Sequence, residues 1–431
     1  MPEHRNTPRG ASTRRFFAVI VAGLIAIVAL GAGVAAVDPY LLYDAPRIDG
    51  VNRWKTRFFY GQYDSKARHV RAMRPRHVVI GTSTAGGSLR PEHALFNGES
   101  AFNYALAGST PRLQGMALAH ALETGTLRSV IVCIDLFSYN AFMDQRAFRQ
   151  FELAVEQGGG VRGQWRRWRR AVETWIAEAL GHDAIADALA TVREQRQPGE
   201  GGIFRDIRAD GFWQNPRPAG MAQLPLFTTI ERQYLSSGWF PEPARRYAFE
   251  DGRGRSTLAE LGAMLEHASA AGLDVTIAIM PFHARFAEAM HEAGLWDDFD
   301  ELKRRIVALG AQPQFAGSVH VWDFSGYHAL SMEAVKGAGR DTPWFEDSIH
   351  PSAATGDMML LRLQLGAQAP GRVPEDFGRL LDAANVEAQL AAAVARRAEY
   401  LERRAADVEQ VRLIARQTAA YRAAAAGTST D

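Results

Sequence analysis

The residue types that can carry out covalent chemistry lie in two short stretches, one early and one late in the chain. The first runs H-V-V-I-G-T-S-T-A-G-G-S-L from His77 and contains Ser83. The second runs W-F-E-D-S-I-H-P-S-A-A and contains Asp347 and His350. A serine hydroxyl is a useful nucleophile only when a base removes its proton, and a histidine held by a carboxylate is such a base. These residue types therefore permit acyl transfer through Ser83.

The spacing of Asp347 and His350 suits that chemistry. At three positions apart, the carboxylate can reach the near nitrogen of the imidazole ring. This contact fixes the tautomer and leaves the far nitrogen free to accept a proton. The pair also precedes a predicted helix that begins near Ala353. For Ser83 the alternative role is structural, because a serine after a strand commonly caps the next helix.

Runs of β-branched and apolar residues predict the strands that must position these side chains. Helices are predicted between them at Gln114–Leu122 and Thr257–Ala271. Alternation of strand and helix is typical of a parallel sheet, so the predicted fold class is α/β, a doubly wound parallel sheet of the flavodoxin-like kind. Reactive groups are expected at the carboxyl ends of its strands. The predicted strands are His77–Ile80, Ala101–Thr110 with its turn, Val130–Leu136, Val275–Met280 and Val319–Phe324.

An uncharged apolar segment, Phe16–Val37, is long enough to cross a bilayer as one helix. Four arginines precede it and Asp38 follows it. The positive-inside rule therefore predicts a cytoplasmic tail at residues 1–15 and export of everything after the helix. A cleaved signal peptide is the alternative, but the apolar run is longer than a usual signal-peptide core, which favours a retained anchor at residues 16–37. The expected location is the inner membrane, with the main domain in the periplasm or outside the cell.

The composition narrows the remaining possibilities. The 431 residues carry a formal net charge of only +1, which gives no reason to expect nucleic-acid binding. The single cysteine, Cys133, excludes an internal disulfide and a cysteine-based zinc site, and we expect neither a metal nor another cofactor. A locally basic segment is interpreted as a solvated surface or a lipid-headgroup contact rather than a substrate site. Its cations are Lys55, Arg57, Lys66, Arg68 and Arg71.

The chain is expected to hold one exported domain over residues 38–382, with a helical insertion at about residues 140–247. Tryptophans and arginines alternate at residues 165–175, where an amphipathic helix is favoured over a sugar- or phosphate-binding patch. Within the same insertion, Gln197–Pro218 is rich in glycine and proline and is predicted to be a loop. Residues 383–431 form a long C-terminal helix and tail. That helix is expected to be solvated, the alternatives being packing on the domain or holding a partner.

These motifs together resemble those of the SGNH/GDSL-type hydrolases. The family's first block is G-D-S after a strand, and Gly81-Thr82-Ser83 matches it with threonine in place of aspartate. Its last block, D-x-x-H, is matched in full by Asp347-Ser348-Ile349-His350. The second block places an oxyanion-hole glycine after the second strand, which corresponds to Gly108. The third block normally ends in an asparagine that donates to the oxyanion. Here that position is Asp135, and a carboxylate cannot donate unless it is protonated.

More narrowly, the chain is similar to membrane-anchored bacterial members of this superfamily that are related to envelope polysaccharide O-acetylation. The resemblance implies that Ser83, Asp347 and His350 are catalytic, and that the N–H groups of Ser83 and Gly108 form the oxyanion hole. It implies an esterase or O-acyltransferase with a glycan or acylated substrate. If the C-terminal helix holds a partner, a polytopic acyl donor in the same membrane is the expected one.

Alternatives remain for individual residues and for the function. Asp135 is expected to bond the loop that carries Ser83 rather than to act chemically. His283 and Arg285 follow another predicted strand, and they either bind substrate or cap and pack at the strand end. An inactive scaffold or binding protein on the same fold is the alternative function, favoured by Thr82 and Asp135. A lipase-type α/β hydrolase is disfavoured because no G-x-S-x-G motif surrounds Ser83.

Overall fold

The computed structural model describes residues 9–144, 180–196, 206–214, 222–335 and 342–427, together with residues 151, 169 and 173. The helices of this part of the chain are α1 (Arg9–Val37), α2 (Gln62–Met73), α3 (Ser83–Gly86), α4 (Pro111–Leu122), α5 (His182–Glu194), α6 (Leu224–Gln233), α7 (Thr257–Ala270), α8 (Ala284–Glu292), α9 (Trp296–Gly310), α10 (Ala353–Leu365), α11 (Val386–Arg403) and α12 (Ala405–Gly427). The strands are β1 (His77–Ile80), β2 (Ala101–Asn103), β3 (Ser129–Ile134), β4 (Asp206–Ile207), β5 (Trp213–Gln214), β6 (Asp274–Ile279), β7 (Val319–Asp323) and β8 (Arg379–Leu381).

The chain divides into two compact units. One comprises Met1–Gly61 and Glu156–Glu200, and the other comprises Gln62–Val155 and Gly201–Asp431. Residues 38–61, expected in the exported domain, therefore group with helix α1, and the C-terminal helices group with the sheet.

In the first unit, helix α1 contains a stretch, Thr13–Val37, that is long and apolar enough to span a membrane. The predicted anchor lies within this helix, which begins earlier, at Arg9. Near its end, Val34 belongs to an apolar cluster with Ala184 and Ala188 of α5. Aliphatic side chains near the C-terminal end of helix α1 thus pack against α5.

The second unit, called the sheet unit below, is built on a six-stranded, mostly parallel sheet with the order β2–β1–β3–β6–β7–β8. The first five of these strands run parallel, and β8 pairs with β7 in the antiparallel direction. The direction of winding reverses between β1 and β3, because the chain adds β2 on one side and its later parallel strands on the other. The carboxyl ends of β1 and β3 therefore meet at the position where open α/β sheets bind ligands.

Apolar cores cover both faces of this sheet. In β1, Val78 and Ile80 belong to one core and Val79 to the other, as the alternation of side chains along a strand requires. Helices α4, α7 and α9 close the first core. The second core contains Ala85 of α3 and Met359 of α10. Burial of one large aliphatic or aromatic side chain contributes about 1.5–3 kcal/mol, so these contacts hold both helices against the sheet.

The sequence predicts the parallel strands well. The predicted strand His77–Ile80 agrees with β1 at both ends, and most of the others differ by one or two residues at an end. The predicted second strand is the exception, since β2 ends at Asn103. Strand β8 is not predicted, because R-L-L is too short to show an alternating pattern. The stretch predicted as a loop contains the antiparallel hairpin β4–β5.

Two other expectations are wrong. The C-terminal segment is not one solvated helix: it breaks at Arg404 into α11 and α12, and it packs on the sheet unit through buried residues such as Tyr400 and Val411. In the basic segment, Lys55 and Lys66 are fully buried instead of solvated. The predicted amphipathic helix at residues 165–175 lies outside the described residues, apart from residues 169 and 173.

Candidate active site

Ser83 is the first residue of α3, directly after the turn that ends β1. This turn runs close to β3, since a Cβ atom on Gly81 would lie 2.7 Å from the Cβ atom of Cys133. Thr82 has extended backbone angles and is the N-cap residue of the helix, with its hydroxyl accepting from the Thr84 N–H. The turn thus places the Ser83 side chain at the carboxyl edge of the sheet, where it is partly exposed.

The structure brings Ser83, His350 and Asp347 together. The His350 Nε2 atom lies 2.8 Å from the Ser83 Oγ atom. On the opposite side of the ring, Nδ1 lies 2.8 Å from Oδ2 and 3.0 Å from Oδ1 of Asp347. Because a carboxylate only accepts hydrogen bonds, Nδ1 carries the proton and Nε2 is free to accept from the serine hydroxyl. These distances are those of a Ser-His-Asp triad.

Asp347 is held by its own loop. Its Oδ1 atom accepts the backbone N–H groups of Ile349 and His350, both at 2.9 Å, and its side chain is fully buried. The loop is in turn fixed to the end of β6, where the His283 N–H donates to the Ser348 carbonyl at 2.9 Å. These bonds give the carboxylate one orientation toward the imidazole ring.

The protonation of His350 depends on two opposing effects. Burial lowers the pKa of His350, but the charge of Asp347 and its hydrogen bond raise it, and the net pKa lies above the ordinary value. Asp135 contributes further to this rise in pKa through its negative charge. A higher pKa makes the ring a stronger base for the serine proton, provided that the pH leaves it unprotonated.

Asp135 follows β3 and bonds the turn that carries Ser83. Its Oδ2 atom accepts hydrogen bonds from the hydroxyl of Thr82 at 2.6 Å and from that of Thr84 at 2.8 Å. Burial raises the pKa of Asp135, and these two hydrogen bonds oppose the rise. In these contacts the carboxylate serves as an acceptor, which is the structural role expected for it.

Gly108 lies in the turn after β2, with a φ of +65° that favours glycine. This turn is tied to the Ser83 turn, because the Leu106 N–H and the Ser109 hydroxyl both donate to the Gly81 carbonyl at 2.9 Å. Among the described residues, no acceptor bonds to the backbone N–H of Ser83 or of Gly108. These turns therefore carry two backbone donors of the kind that stabilise a developing oxyanion.

His283 and Arg285 occupy structural positions. The ring of His283 is fully buried, accepts the Arg285 N–H at 3.2 Å as the cap of α8, and contacts the Glu333 carbonyl at 2.8 Å. Burial lowers the pKa of His283 to about 3, which keeps the ring neutral. The guanidinium of Arg285 is also buried and makes two 2.8 Å bonds to Glu231 and one at 3.4 Å to Asp407. These contacts agree with the alternative in which His283 and Arg285 cap and pack at the strand end instead of binding substrate.

Two cavities lie near these residues. A groove of 660 Å³ beside α3 and the start of α10 is lined by Gly87, Arg90, Glu92, Arg208, Phe212 and Ser352 among others. Its size is within the range of roughly 300–1,000 Å³ seen for ligand sites. A smaller cavity next to Asp135 and Ile349 is lined mainly by apolar side chains, including Phe137, Trp239, Met280 and Phe282. Within the described ranges, no group of histidine, cysteine and acidic side chains could hold a metal ion.

No protein-family model matches this chain, and no match is found among curated proteins. The function must therefore be inferred from the motifs and from the contacts above. Of these contacts, the meeting of Ser83 with His350 and Asp347 carries the most chemical information.

Two further residues hold the turn that carries Ser83, and the sequence did not predict this role for them. Thr82 and Thr84 are the donors that bond Asp135, and they flank Ser83 on both sides. The T-S-T run was a usable signal, because it places three hydroxyl groups in one turn. The hydroxyl groups that bond a carboxylate are determined by the position of Asp135 after the neighbouring strand β3. The T-S-T motif itself does not contain this information.

Proposed function

We propose that this protein is an exported, membrane-anchored serine esterase or O-acyltransferase of the SGNH type, acting on cell-envelope polysaccharide or a related glycan. The observation that carries the proposal is the 2.8 Å contact between the Ser83 Oγ and His350 Nε2 atoms, with Asp347 on the far side of the ring. A nucleophile, a base and an orienting carboxylate then share one site at the carboxyl edge of a parallel sheet, where such sheets bind ligands.

In the proposed mechanism, the Ser83 Oγ atom attacks the acyl carbonyl carbon while its proton passes to His350 Nε2. The carbonyl electron pair moves to the oxygen, which the N–H groups of Ser83 and Gly108 stabilise. When the tetrahedral species collapses, the bond to the leaving alcohol breaks and His350 returns the proton to that alcohol. A second hydroxyl then attacks the carbonyl carbon of the acyl-serine and gives its proton to His350. The bond between this carbon and the Ser83 Oγ atom breaks, and His350 returns the proton to Oγ. Water as the second nucleophile gives an esterase, and a sugar hydroxyl gives a transferase.

Two other features support the choice of substrate and location. The groove of 660 Å³ beside α3 has charged and aromatic walls, which suit a polar, sugar-sized acceptor. The apolar stretch Thr13–Val37, with basic residues before it, suits retention in the inner membrane and export of the sheet unit. A polytopic acyl-donor protein in the same membrane would then be a natural partner.

A scaffold without catalysis is the second candidate, and Asp135 favours it. At the position where the SGNH hydrolases have an asparagine donor, Asp135 accepts hydroxyl groups, so only backbone N–H groups would face the oxyanion. Removing one oxyanion-hole donor lowers kcat by about 10²–10³ in a serine protease. That loss slows catalysis without abolishing it, and we therefore place the enzyme first.

Hydrolysis of a chromogenic acetyl ester by the full chain in detergent tests the proposal. We expect activity in the wild type and its loss in Ser83→Ala and His350→Ala. Ser237→Ala, at an exposed serine, is the matched control and should keep full activity. An inactive wild type whose Ser83 also fails to react with an active-site serine probe would contradict the enzyme and favour the scaffold. Addition of oligosaccharide acceptors to an active preparation then separates transfer from hydrolysis.

A further inference from the structure

A second set of contacts reaches the proposed oxyanion side of the site from helix α2. Lys66 is fully buried on this helix, although it lies in a segment that is basic in sequence. Its Nζ atom donates to the Asn103 carbonyl at 2.9 Å and to the Ala105 carbonyl at 2.6 Å. The Nζ atom also lies 4.8 Å from the ring centre of Trp213 in strand β5, and burial lowers the pKa of Lys66 well below its ordinary value.

Gln62, on the same helix, makes a further contact of this kind with Ala107. It lies one helical turn before Lys66 and is also buried, and its Oε1 atom accepts the Ala107 N–H at 3.0 Å. Helix α2 therefore holds backbone groups of alternate residues 103, 105 and 107, and the next residue is Gly108. Burial of a lysine side chain costs free energy, because its amino group loses contact with water. The hydrogen bonds of Lys66 to two carbonyl groups offset part of this cost.

The held segment is also joined to the helix that carries Ser83. The side-chain amide of Asn103 donates to the carbonyls of Ala85 and Leu89, both at 2.9 Å, at the end of α3. Its Oδ1 atom accepts the Ala105 N–H at 3.1 Å. Helix α2, the Gly108 turn and helix α3 are thus connected through consecutive hydrogen bonds that are all buried or partly buried.

We infer that Gln62 and Lys66 are positioning residues, which set the Gly108 N–H relative to Ser83 by holding residues 103–107 against helix α2. The inference rests on the proposed function, because it assigns these contacts to oxyanion binding. An oxyanion donor acts only at about 2.7–3.1 Å from the oxygen that develops charge. A small displacement of the Gly108 turn therefore reduces stabilisation of the transition state more than binding of the ground state.

The Gln62 position allows a test with a conservative rescue. Gln62→Met removes the acceptor of the Ala107 N–H and keeps the side-chain volume, whereas Gln62→Glu keeps an acceptor oxygen at the same reach. We expect kcat for ester hydrolysis to fall at least tenfold in Gln62→Met, with KM within twofold of wild type, and to recover in Gln62→Glu. Gln195→Met is the matched control, since Gln195 is another buried glutamine whose bonds are to Trp54 and Thr191.

The Lys66 position gives a second, independent variant. Lys66→Met removes both donors while filling the same space, and a fall in kcat at least as large as that of Gln62→Met is expected, with the pH dependence governed by His350 unchanged. If Lys66→Met does not fold, the comparison of Gln62→Met with Gln62→Glu still tests the positioning role.

The outcomes separate the inference from the proposed function. A wild-type chain without Ser83-dependent hydrolysis would overturn both. Ser83-dependent hydrolysis with unchanged kcat in Gln62→Met would overturn the positioning role alone. Equal losses in Gln62→Met and Gln62→Glu would do the same, because the acceptor oxygen would then be irrelevant.

Discussion

The hydroxyl group of Thr82 donates a 2.6 Å hydrogen bond to the Oδ2 atom of Asp135. The bond joins the turn after β1 to the end of β3, the two strands between which the winding of the sheet reverses. The same oxygen accepts the hydroxyl of Thr84 at 2.8 Å, so one carboxylate oxygen holds the turn on both sides of Ser83. Asp135 thus bonds the residues on either side of Ser83, and its negative charge also helps to raise the pKa of His350.

Asp135→Asn should keep the fold and change the pH dependence of catalysis. The amide oxygen can still accept both threonine hydroxyls, but the negative charge that contributes to the raised pKa of His350 is lost. His350 must be neutral to act as a base, so activity is lost as pH falls through its raised pKa. A lower pKa moves this acid limb to lower pH, which a profile of kcat/KM against pH measures. An unchanged acid limb would show that the charge of Asp135 does not affect the pKa of His350.

Asp135→Ala tests the structural role of the carboxylate, because it removes the acceptor of both threonine hydroxyls and leaves Thr82 and Thr84 only their 3.2 Å contact with each other. Each unsatisfied group costs about 1–3 kcal/mol. We expect a clear loss of unfolding free energy in urea relative to Asp135→Asn, measured on the same preparation. Equal stability of the two variants would contradict the acceptor role.

Asp347→Asn should lower kcat by about 10⁴-fold, since the same change of the triad aspartate in a serine protease has an effect of that order. The amide can present its N–H₂ group to Nδ1, which then favours the wrong tautomer of His350. Circular dichroism should show an unchanged fold. Asp357→Asn, on helix α10, is the control and should retain most of the activity; an equal loss there would point to a general effect of removing negative charge.

Glu231→Ala should destabilise the protein by about 3–5 kcal/mol, because it removes both 2.8 Å bonds to the buried guanidinium of Arg285 and leaves only its 3.4 Å contact with Asp407. The exposed pair of Arg305 and Glu301 provides the comparison, and Glu301→Ala should cost no more than about 0.5 kcal/mol. Urea unfolding of the full chain in detergent measures both. Similar small losses would mean that water reaches Arg285 in solution.

Gly356→Ala tests the contact between helix α10 and the turn that follows α3. Helix propensity alone predicts a gain of about 1 kcal/mol for this change. However, a Cβ atom at this position would lie 1.9 Å from the Ser88 carbonyl oxygen, so helix α10 and the turn after α3 must separate. We expect a loss of about 1–3 kcal/mol in a thermal melt and a lower kcat, because the displacement is transmitted to Ser83. Gly371→Ala, where a Cβ atom meets open space, should leave both quantities unchanged.

The sequence alone predicts the parts of this molecule that are encoded locally. Strand β1 is a run of four residues bounded by Gly81, and it has the same limits in the structure as in the prediction. The spacing of Asp347 and His350 predicts their contact, because three residues on one turn determine how the carboxylate meets the ring. The assignment of a catalytic role to these residues stays a prediction until activity is measured.

Features that depend on distant segments could not be predicted in the same way. The locally basic sequence around Lys66 predicts a solvated side chain. The partners of Lys66 in the structure are backbone carbonyls, which have no signature in a sequence. The break between α11 and α12 occurs at Arg404, with neither glycine nor proline to mark it. Packing of Tyr400 and Val411 on the sheet unit, rather than intrinsic helix propensity, decides where these helices lie.

The distance along the chain between Ser83 and His350 has a consequence for biosynthesis. Their hydrogen bond joins residues 267 positions apart. At a synthesis rate of roughly 5–20 residues per second, Ser83 is made roughly 13–53 seconds before the histidine that lies against it. A nascent or truncated chain that stops before this point contains the serine but no base, and its hydroxyl is as unreactive as any other. The contact between Ser83 and His350 can therefore form only after residue 350 has been synthesised.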